Sequence, residues 1–391
     1  MGCGDCRDES TPCRAVLMVV PTLGKRCGIS DYSRSLAREL RRLGLDVRLV
    51  TFDPLHFRGS FGPGKGSWNS GRGSSSIGGG TVVHFQYQYV LYNLDELRRT
   101  IEHSRRAGMP SVVTVHEFGQ AYQEYNRFLL REFDGIIVHS ALMRHLVCGS
   151  YPGGPGGSGT QQGSAPRIEV VPMGCEVMPG LDRKAARARL GISPGEPALG
   201  FFGFMLPHKG ISNLIRASVI LKEKYPSLRC FIFAPDAPYV SSRRYGTWIE
   251  SEVEKLKVGS YLRLFRDYLP ETVVIDNLSA MDVVVLPYED RGMTGVSSAA
   301  RTVLAVGCPT VVTDTAFFHD LSSEVVKVKT GSPEGIAAAV SRIFDDKGLQ
   351  QDLRTKMADF VARNSWARSA ERHVWFYSEV IHSLKEWRSG E

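Results

Sequence analysis

Short apolar runs alternate with amphipathic stretches along most of the chain. Residues 15–20 and 283–286 are continuously apolar, which is typical of strands buried on both faces of a sheet. Between Tyr32 and Leu43, apolar side chains recur at helical spacing and predict a helix with one face packed on a sheet. Because both patterns alternate in each half, the sequence predicts the α/β class with two doubly wound parallel sheets.

The individual elements follow from the same patterns and from turn residues. Predicted strands cover residues 15–20, 46–52, 81–86, 111–115, 136–138, 167–171, 198–202, 228–234, 262–265, 283–286, 310–313 and 325–329. Predicted helices cover residues 30–43, 94–107, 182–189, 210–222, 247–256, 271–279, 298–306, 333–344, 350–364 and 371–387.

The domain organisation is read from composition. Residues 58–80 and 151–164 are rich in glycine and cannot bury a core, so both are predicted to be flexible insertions. The predicted divisions are a tail over 1–13, a first domain over 14–175, a second over 176–365 and a final helical segment over 366–391.

Two loops precede helix N-termini at the carboxyl ends of strands. The first ends at Gly28, and the second covers residues 289–296, with Ser297 or Ser298 as the helix cap and Gly307 as its end. Such junctions bind anions through free N–H groups and the helix dipole. The alternatives also stay open: Gly28 as a simple turn glycine, and the second loop as part of an ordinary βαβ unit without a ligand.

Three predicted strands of the first domain end in histidine. These residues are His84, His116 and His139. A lone histidine is usually structural. Three at the carboxyl ends of neighbouring parallel strands indicate a shared crevice, where such sheets bind ligands.

Composition places the chain among globular proteins and raises the question of its charge. Of 391 residues, 42% are hydrophobic and 23% charged, and the net charge is +7. Residues 1–175 carry 20 basic and 15 acidic side chains, against 28 and 26 in the remainder. A basic first half suits nucleic acid, anionic lipid or a phosphorylated substrate, or is simply a solvated helix face. The densest basic runs are Arg34, Arg38, Arg41 and Arg42, and Arg98, Arg99, Arg105 and Arg106.

The cysteines and the N-terminal residues bear on location. Eight cysteines are spread along the chain, several of them in apolar contexts, which favours reduced thiols. Cys3, Cys6 and Cys13 lack a fourth zinc ligand nearby, so a frayed tail is the favoured interpretation. Residues 1–13 lack an apolar signal region, and no apolar run approaches the roughly 18 residues of a membrane span. A cytoplasmic location is the expectation.

A family resemblance runs from about Arg14 to Glu379. Its motifs, in order, are CGISDYSRSLARELRRLGLDVRLVT, TVVHFQYQ, SVVTVHEF, GIIVHS, RIEVVPMG, GFFGFMLPHKGISNLIRA, and VVVLPYE followed by AVGCPTVVTD. The chain resembles family 4 retaining glycosyltransferases, in particular a bacterial subgroup with a Cys-Gly-Ile first loop and a Leu-Pro-Tyr donor loop. This resemblance implies the GT-B fold, in which two Rossmann-like domains face each other across a cleft and residues 366–391 return to the first domain.

The resemblance also implies roles for particular residues. The donor phosphates are expected at Gly28 and Lys209, with Lys209 as the clamp on the diphosphate. His116 is expected near the transferred sugar, and Glu289 is a further candidate catalytic residue. The remaining candidates are the donor-loop residues Thr294, Gly295, Val296, Ser297 and Ser298, and the acceptor-side residues His84, Gln86 and Tyr87.

The chain departs from the family pattern in two places. Phe204 stands where many members have arginine, so Arg291 or Arg301 is the candidate for a second cation. The usual Glu-x7-Glu pair is missing, and Thr294 and Thr302 occupy its positions. The chain has no Asp-x-Asp motif, which fits a mechanism without a metal, because a fixed lysine and helix N-termini stabilise a departing diphosphate.

The expected activity is transfer of a hexose from a UDP- or GDP-sugar to a hydroxyl acceptor, with retention and without a cofactor. A glycan or lipid-linked acceptor is expected, with peripheral contact at the inner membrane face and no nucleic acid. The alternatives are a non-catalytic protein that binds a sugar nucleotide, motivated by the missing glutamates, and a GT-B sugar-nucleotide epimerase. A pyridoxal-type phosphorylase is disfavoured by chain length.

Overall fold

The computed structural model describes residues 13–24, 27–52, 80–89, 91–150, 165–178, 180–237 and 240–389. The predicted insertions, apart from Gly80, and residues 1–12 of the predicted tail lie outside these ranges. Cys13 is buried, with 5% of its surface exposed, so the prediction that the tail includes it is wrong. The chain divides into a first unit, Met1–Pro172 with Trp366–Glu391, and a second unit, Met173–Ser365.

The first unit is built on a parallel sheet. Its strands are β1 (Ala15–Val19), β2 (Asp46–Val50), β3 (Thr81–Tyr87), β4 (Ser111–Val115), β5 (Gly135–Val138) and β6 (Arg167–Val170). The helices between them are α1 (Gly28–Arg42), α2 (Leu94–Arg106), α3 (Gln123–Glu132) and α4 (Ala141–Gly149). Glu117–Phe118 adds a two-residue extended segment.

The strand order of this sheet fixes where a ligand crevice opens. The order is β2-β1-β3-β4-β5-β6, and all neighbours are parallel. The order reverses between β1 and β3, so the connections that follow these strands leave in opposite directions and open a crevice at their carboxyl ends. Gly28, reached from β1, and Gln86, near the end of β3, therefore lie at this switch point.

The second unit contains another parallel sheet. Its strands are β7 (Ala198–Phe202), β8 (Arg229–Phe233), β9 (Leu262–Phe265), β10 (Val283–Leu286), β11 (Thr310–Thr313) and β12 (Val326–Val328). Its helices are α5 (Arg183–Leu190), α6 (Ile211–Lys224), α7 (Val240–Lys255), α8 (Glu271–Ser279), α9 (Ser298–Val306), α10 (Pro333–Asp345) and α11 (Lys347–Arg363). Pro207–Lys209 forms a 3₁₀ turn, and Thr294–Gly295 is a two-residue extended segment.

This second sheet has the strand order of a Rossmann fold. The order is β9-β8-β7-β10-β11-β12, all parallel, with the reversal between β7 and β10. The loop after β7 carries Lys209, and the loop after β10 carries residues 289–297. Both predicted donor loops thus lie at one switch point. The prediction of two Rossmann-like doubly wound sheets is confirmed.

The chain ends in a long helix of the first unit, α12 (Trp366–Ser389), which begins five residues before its predicted start. It packs beside α1 on one face of the first sheet, with Tyr32 of α1 5.1 Å from Trp366, centroid to centroid. The opposite face is covered by aromatic and aliphatic side chains, among them Phe85 against Phe133 at 5.4 Å. The core of the first unit lies in these two layers.

Several helix boundaries differ from the prediction. Helix α1 begins at Gly28 after Cys27, two residues before its predicted start. Helix α3 was not predicted, because its N-cap, Tyr122, is not a residue type that signals a helix start. Helix α4 was not predicted although Ser140 caps it by accepting from the Met143 N–H at 3.2 Å.

Substitution of Gly210 tests how closely the loops after β7 and β10 approach each other in the second unit. Its φ is +64°, and a Cβ placed there would lie 1.8 Å from the Pro287 carbonyl oxygen. Gly307 has a similar φ, +74°, with no atom within 4 Å of its Cβ position. We expect Gly307→Ala to cost about 1 kcal/mol of unfolding free energy, and Gly210→Ala about 2 kcal/mol more. Denaturant unfolding measures both, and equal losses would contradict the close approach at Gly210.

Candidate functional site

The loop after β7 presents Lys209 at the carboxyl edge of the second sheet. The 3₁₀ turn Pro207–Lys209 ends at Gly210, which starts α6 in a left-handed conformation. The Lys209 Nζ lies 3.8 Å from the centroid of the Tyr288 ring, a cation–π contact. This contact holds the ammonium group beside the loop that follows β10.

Main-chain and side-chain bonds join the two loops. The Glu289 N–H donates to the His208 carbonyl at 2.8 Å. The Tyr288 hydroxyl lies 3.0 Å from Ser297 Oγ, which accepts from the Ala300 N–H at 3.2 Å as the cap of α9. Lys209, Tyr288 and Ser297 therefore form one continuous chain of contacts that ends at a helix N-terminus, an arrangement suited to an anion.

The other predicted residues of the second unit surround this chain. Thr294, Gly295 and Val296 are buried, whereas Ser298 is exposed at the first position of α9. The Glu289 side chain is exposed and accepts from Asn213 Nδ2 at 3.1 Å. The predicted cap at Ser297 and helix end at Gly307, φ +74°, are confirmed.

The two candidates for a second cation differ in their surroundings. Arg301 is 3% exposed and forms an ion pair with Asp320, so its charge is already balanced inside the unit. The Arg291 guanidinium lies 5.3 Å from the Phe317 ring centroid. Burial, with the charges of Lys209 and Arg291, lowers the pKa of His208 to about 3. His208 is therefore neutral near pH 7, and the positive charge of this loop resides on Lys209 and Arg291.

In the first unit, Gly28 begins α1. Its N-cap residue, Cys27, makes no side-chain capping bond to the first turn. The Ser30 hydroxyl donates to the Thr22 carbonyl at 2.5 Å and so ties the helix to the preceding loop.

The three predicted histidines of the first unit do lie together. His116 Nδ1 is 3.4 Å from His139 Nε2, and His116 Nε2 is 2.9 Å from the Gln86 side chain. The same Gln86 amide lies 3.3 Å from His84 Nε2. All three rings are buried.

A fourth histidine, His373 of α12, joins this cluster, and sequence analysis missed it. Its Nε2 lies 3.3 Å from the Tyr32 hydroxyl of α1. Tyr377, one turn further along α12, lies 2.7 Å from His84 Nδ1. The four-residue spacing of His373 and Tyr377 on a predicted helix was the available signal.

The hydrogen-bond partners determine the protonation states of His373 and His84, because a backbone carbonyl can only accept. His373 Nδ1 donates to the Ser369 carbonyl at 2.7 Å, so its Nε2 accepts from the Tyr32 hydroxyl. The Thr114 hydroxyl donates to Tyr32 and accepts from His84 Nε2 at 2.7 Å. His84 Nδ1 then accepts from the Tyr377 hydroxyl. One direction of donation satisfies every member of this chain with neutral histidines.

A second chain fixes the tautomer of His116. His139 Nδ1 donates to the Val171 carbonyl at 3.0 Å, so its Nε2 accepts from His116 Nδ1. His116 Nε2 is then an acceptor and requires the amide NH₂ of Gln86. The Gln86 amide is thus oriented with its NH₂ towards His116 and its oxygen on the side of His84, whose Nε2 proton is donated to Thr114.

Tyr87 is the predicted acceptor-side residue that the structure separates from the others. It alternates to the opposite face of β3 from His84 and Gln86. There it stacks on Tyr92, with 5.7 Å between ring centroids.

The basic runs of the first unit are largely paired within the unit. Glu39 accepts from Arg38 and Arg42, each at 2.8 Å, and Arg34 pairs with Asp31 at 3.0 Å. Arg98 pairs with Glu132 at 3.1 Å. These pairs favour the interpretation of a solvated helix face.

Two features are absent from the described ranges. No group of three or more histidine, cysteine, aspartate or glutamate side chains there is arranged to hold a metal ion. No helix within those ranges combines the length and hydropathy that crossing a bilayer requires.

Part of the chain is similar in sequence to known proteins. Residues 196–346 match the family described as "Glycosyl transferases group 1", which covers most of the second unit. The D-inositol 3-phosphate glycosyltransferase of Corynebacterium urealyticum is 28% identical over 229 residues, 55% of this chain and 51% of that one. The chain spans about half the length of the inositol phosphate glycosyltransferases that it matches.

Solved structures show the fold. The Anabaena protein Alr3699/HepE in complex with UDP has a TM-score of 0.68 at 13% identity, covering 94% of this chain and 100% of that one. Sucrose-phosphate synthase from Thermosynechococcus elongatus also has a TM-score of 0.68, at 16% identity, covering 95% of this chain and 100% of that one. The fold is that of the GT-B glycosyltransferases.

The histidine cluster predicts how stability depends on pH. Burial, together with neighbouring histidines, holds the pKa values of His84 and His116 well below 6.5 and that of His373 at about 4. Below pH 6.5 the unfolded chain binds protons that the folded cluster does not. Unfolding free energy should therefore fall as pH falls from about 6.5 towards 4, by about 1.4 kcal/mol per pH unit for each such histidine.

Denaturant unfolding between pH 7 and pH 5 measures this slope. His373→Gln should reduce it, whereas His145→Gln, on the exposed side of α4, should leave it unchanged. Equal slopes in all three proteins would contradict a neutral buried His373.

Proposed function

We propose that this protein is a retaining glycosyltransferase that transfers a hexose from a nucleoside diphosphate sugar to a hydroxyl of a glycan or lipid-linked acceptor. The donor is proposed to bind the second unit through Lys209 and the N-terminus of α9.

One observation carries the proposal. Lys209, Tyr288 and Ser297 form a contiguous chain at the switch point of a Rossmann-type sheet, inside the segment that matches group 1 glycosyl transferases. A departing nucleoside diphosphate gains negative charge in the transition state. A fixed ammonium group and helix N–H groups stabilise that charge more than they stabilise the bound donor.

Known proteins support the donor class. The Anabaena protein of the same fold has been solved with UDP and with UDP-glucose. The relatives include an alpha-maltose-1-phosphate synthase of Mycolicibacterium smegmatis, 26% identical over 70% of this chain and 74% of that one. A UDP-hexose is therefore the first donor to test, with GDP- and ADP-sugars beside it.

Contacts to the donor sugar are proposed for Glu289. Its carboxylate is exposed beside the Lys209 turn and is oriented by Asn213. Thr294 and Thr302 stand where the family's carboxylate pair is expected, and Glu289 lies five residues before the first of these positions. We further propose a reaction without organic cofactor, carried out in the cytoplasm or at the inner membrane face.

The first test removes the proposed phosphate clamp. Lys209→Ala should lower turnover of the donor by about 10²–10³, because one contact to the developing charge is lost. The matched control, Lys184→Ala, removes an exposed lysine from α5 and should leave turnover unchanged. Release of UDP from UDP-glucose, with thermal unfolding as a check on folding, measures both.

Two results would redirect the proposal. Wild-type turnover in Lys209→Ala would remove this lysine from the site. A wild-type protein that gains thermal stability with UDP-sugars but releases no UDP would favour the non-catalytic alternative, for which the missing glutamate pair is the motive.

The second test concerns metal. The sequence has no Asp-x-Asp, and Lys209 and Arg291 supply positive charge to this loop. Turnover should therefore be the same in EDTA as in Mg²⁺ or Mn²⁺ after the protein has been stripped with chelator. Loss of activity in EDTA that Mg²⁺ restores would overturn metal independence while leaving the donor site in place.

A further inference from the structure

The ammonium group of Lys209 is held in place without being neutralised. Its Nζ lies 3.8 Å from the centroid of the Tyr288 ring, and the side chain is half-buried. Among the described residues, none accepts a hydrogen bond from this ammonium group or forms an ion pair with it. An aromatic face attracts a cation through its quadrupole and leaves the N–H donors free. Lys209 therefore keeps both its charge and its donors for a ligand.

A second lysine of the same unit shows the alternative. Lys222 Nζ lies 4.7 Å from the Tyr261 ring centroid, and the Tyr261 hydroxyl lies 3.4 Å from Ser218 Oγ. Here the ammonium group donates to the carbonyls of Pro226 and Leu228, at 2.5 Å and 3.3 Å. The same three residue types therefore form a structural contact at this place, because the lysine donors are used inside the protein.

The ring of Tyr288 is fixed by its neighbours. Tyr288 has no exposed surface, and its ring lies 4.7 Å from that of Phe318, centroid to centroid. The rings of His208 and Phe317 lie at 6.3 Å and 6.1 Å from it. Thr313 Oγ1 donates to the Tyr288 carbonyl at 2.6 Å and fixes the main chain. Little freedom of this ring therefore remains to be lost when a ligand binds.

The hydroxyl of Tyr288 links the ring to a helix N-terminus. It lies 3.0 Å from Ser297 Oγ, and Ser297 caps α9 by accepting from the Ala300 N–H at 3.2 Å. Ser297 is buried, with 4% of its surface exposed. One side chain thus contacts both groups that attract an anion: the ring holds the Lys209 ammonium group, and the hydroxyl holds the start of α9.

We propose that Tyr288 is a positioning residue of the donor site, which sets the separation between the Lys209 ammonium group and the N-terminus of α9 so that both reach one diphosphate. Its ring acts through Lys209 and its hydroxyl acts through Ser297, so the two functions are separable. An aromatic ring suits this task better than a carboxylate, which would neutralise the charge that stabilises the diphosphate. This inference rests on the proposed function, because it assigns the residue that aligns the two groups proposed to hold the donor.

The experiment separates the ring from the hydroxyl. Calorimetry measures the Kd for UDP, or for GDP or ADP if either binds more tightly, in Tyr288→Phe, which keeps the ring, and in Tyr288→Leu, which removes it. We expect Kd to rise about fivefold in Tyr288→Phe, as loss of one hydrogen bond does, and about tenfold further in Tyr288→Leu, as loss of a cation–π contact does. The matched control, Tyr261→Phe, should leave Kd unchanged.

Two double-mutant cycles identify the partner of each function. In the Lys209→Ala background, Tyr288→Leu should bind no more weakly than Tyr288→Phe, because the ring then has no cation to hold. In the Ser297→Ala background, Tyr288→Phe should add no loss to that of Ser297→Ala alone. Turnover of the donor should show the same pattern. Losses that multiply in both backgrounds would indicate a general structural effect and overturn the proposal.

A direct measurement replaces Tyr288→Leu if thermal unfolding shows that this variant does not fold. A ring face shields the protons that lie over it, so the Hε resonance of Lys209, assigned with Lys209→Arg, should lie upfield of that of the exposed Lys184. The same upfield position is expected in Tyr288→Phe. A Lys209 resonance at the position of Lys184 would overturn the assigned contact with the ring.

Failure of the proposed function gives a different result. If the wild-type protein binds none of the three nucleotides, that function fails, and inorganic pyrophosphate becomes the probe. A shift of the Lys209 resonance with pyrophosphate that needs a higher concentration in Tyr288→Phe supports the alignment of the two groups. No shift in the wild type, or equal affinity in both proteins, overturns it.

Discussion

The contact between Gly210 and the Pro287 carbonyl governs the arrangement of the second unit's site. A side chain at residue 210 would lie 1.8 Å from that oxygen, so only glycine lets the turn after β7 meet the loop after β10. The Glu289 N–H to the His208 carbonyl and the Lys209 ammonium over Tyr288 both depend on this approach. The strand reversal between β7 and β10 places the two loops side by side, and the glycine brings them into contact.

The first unit buries four histidines. The hydrogen bonds that link these histidines involve no carboxylate. The backbone carbonyls of Ser369 and Val171 can only accept, and each lies at the end of one hydrogen-bond chain. These two carbonyls therefore set the direction of the other hydrogen bonds in their chains. Each ring is thereby satisfied in its neutral form, which avoids the large cost of a buried unpaired charge. The same chain joins α12 to α1 and to the sheet, so the segment furthest along the sequence is part of the core around His116.

Burial separates the residues that hold this unit together from those available to a ligand. His84 and Gln86 lie near the end of a strand, where a binding residue is expected. Their side chains are nevertheless buried and hydrogen-bonded to other groups inside the protein. Strand-end position alone does not reveal this burial, because it specifies an edge of the sheet and not the face or depth of a side chain.

The sequence by itself determined the features that depend on local chemistry. The alternation of apolar runs and helical periodicity, the cap at Ser297 and the end of α9 at Gly307 were all readable, because each depends on neighbours a few residues away. Only the tertiary structure decided that Arg301 is balanced by Asp320, that His373 and Tyr377 complete the histidine cluster, and that Tyr87 is turned away from it. Tyr377 and His84 are 293 residues apart, and no local pattern encodes a contact that sheet topology and helix packing create.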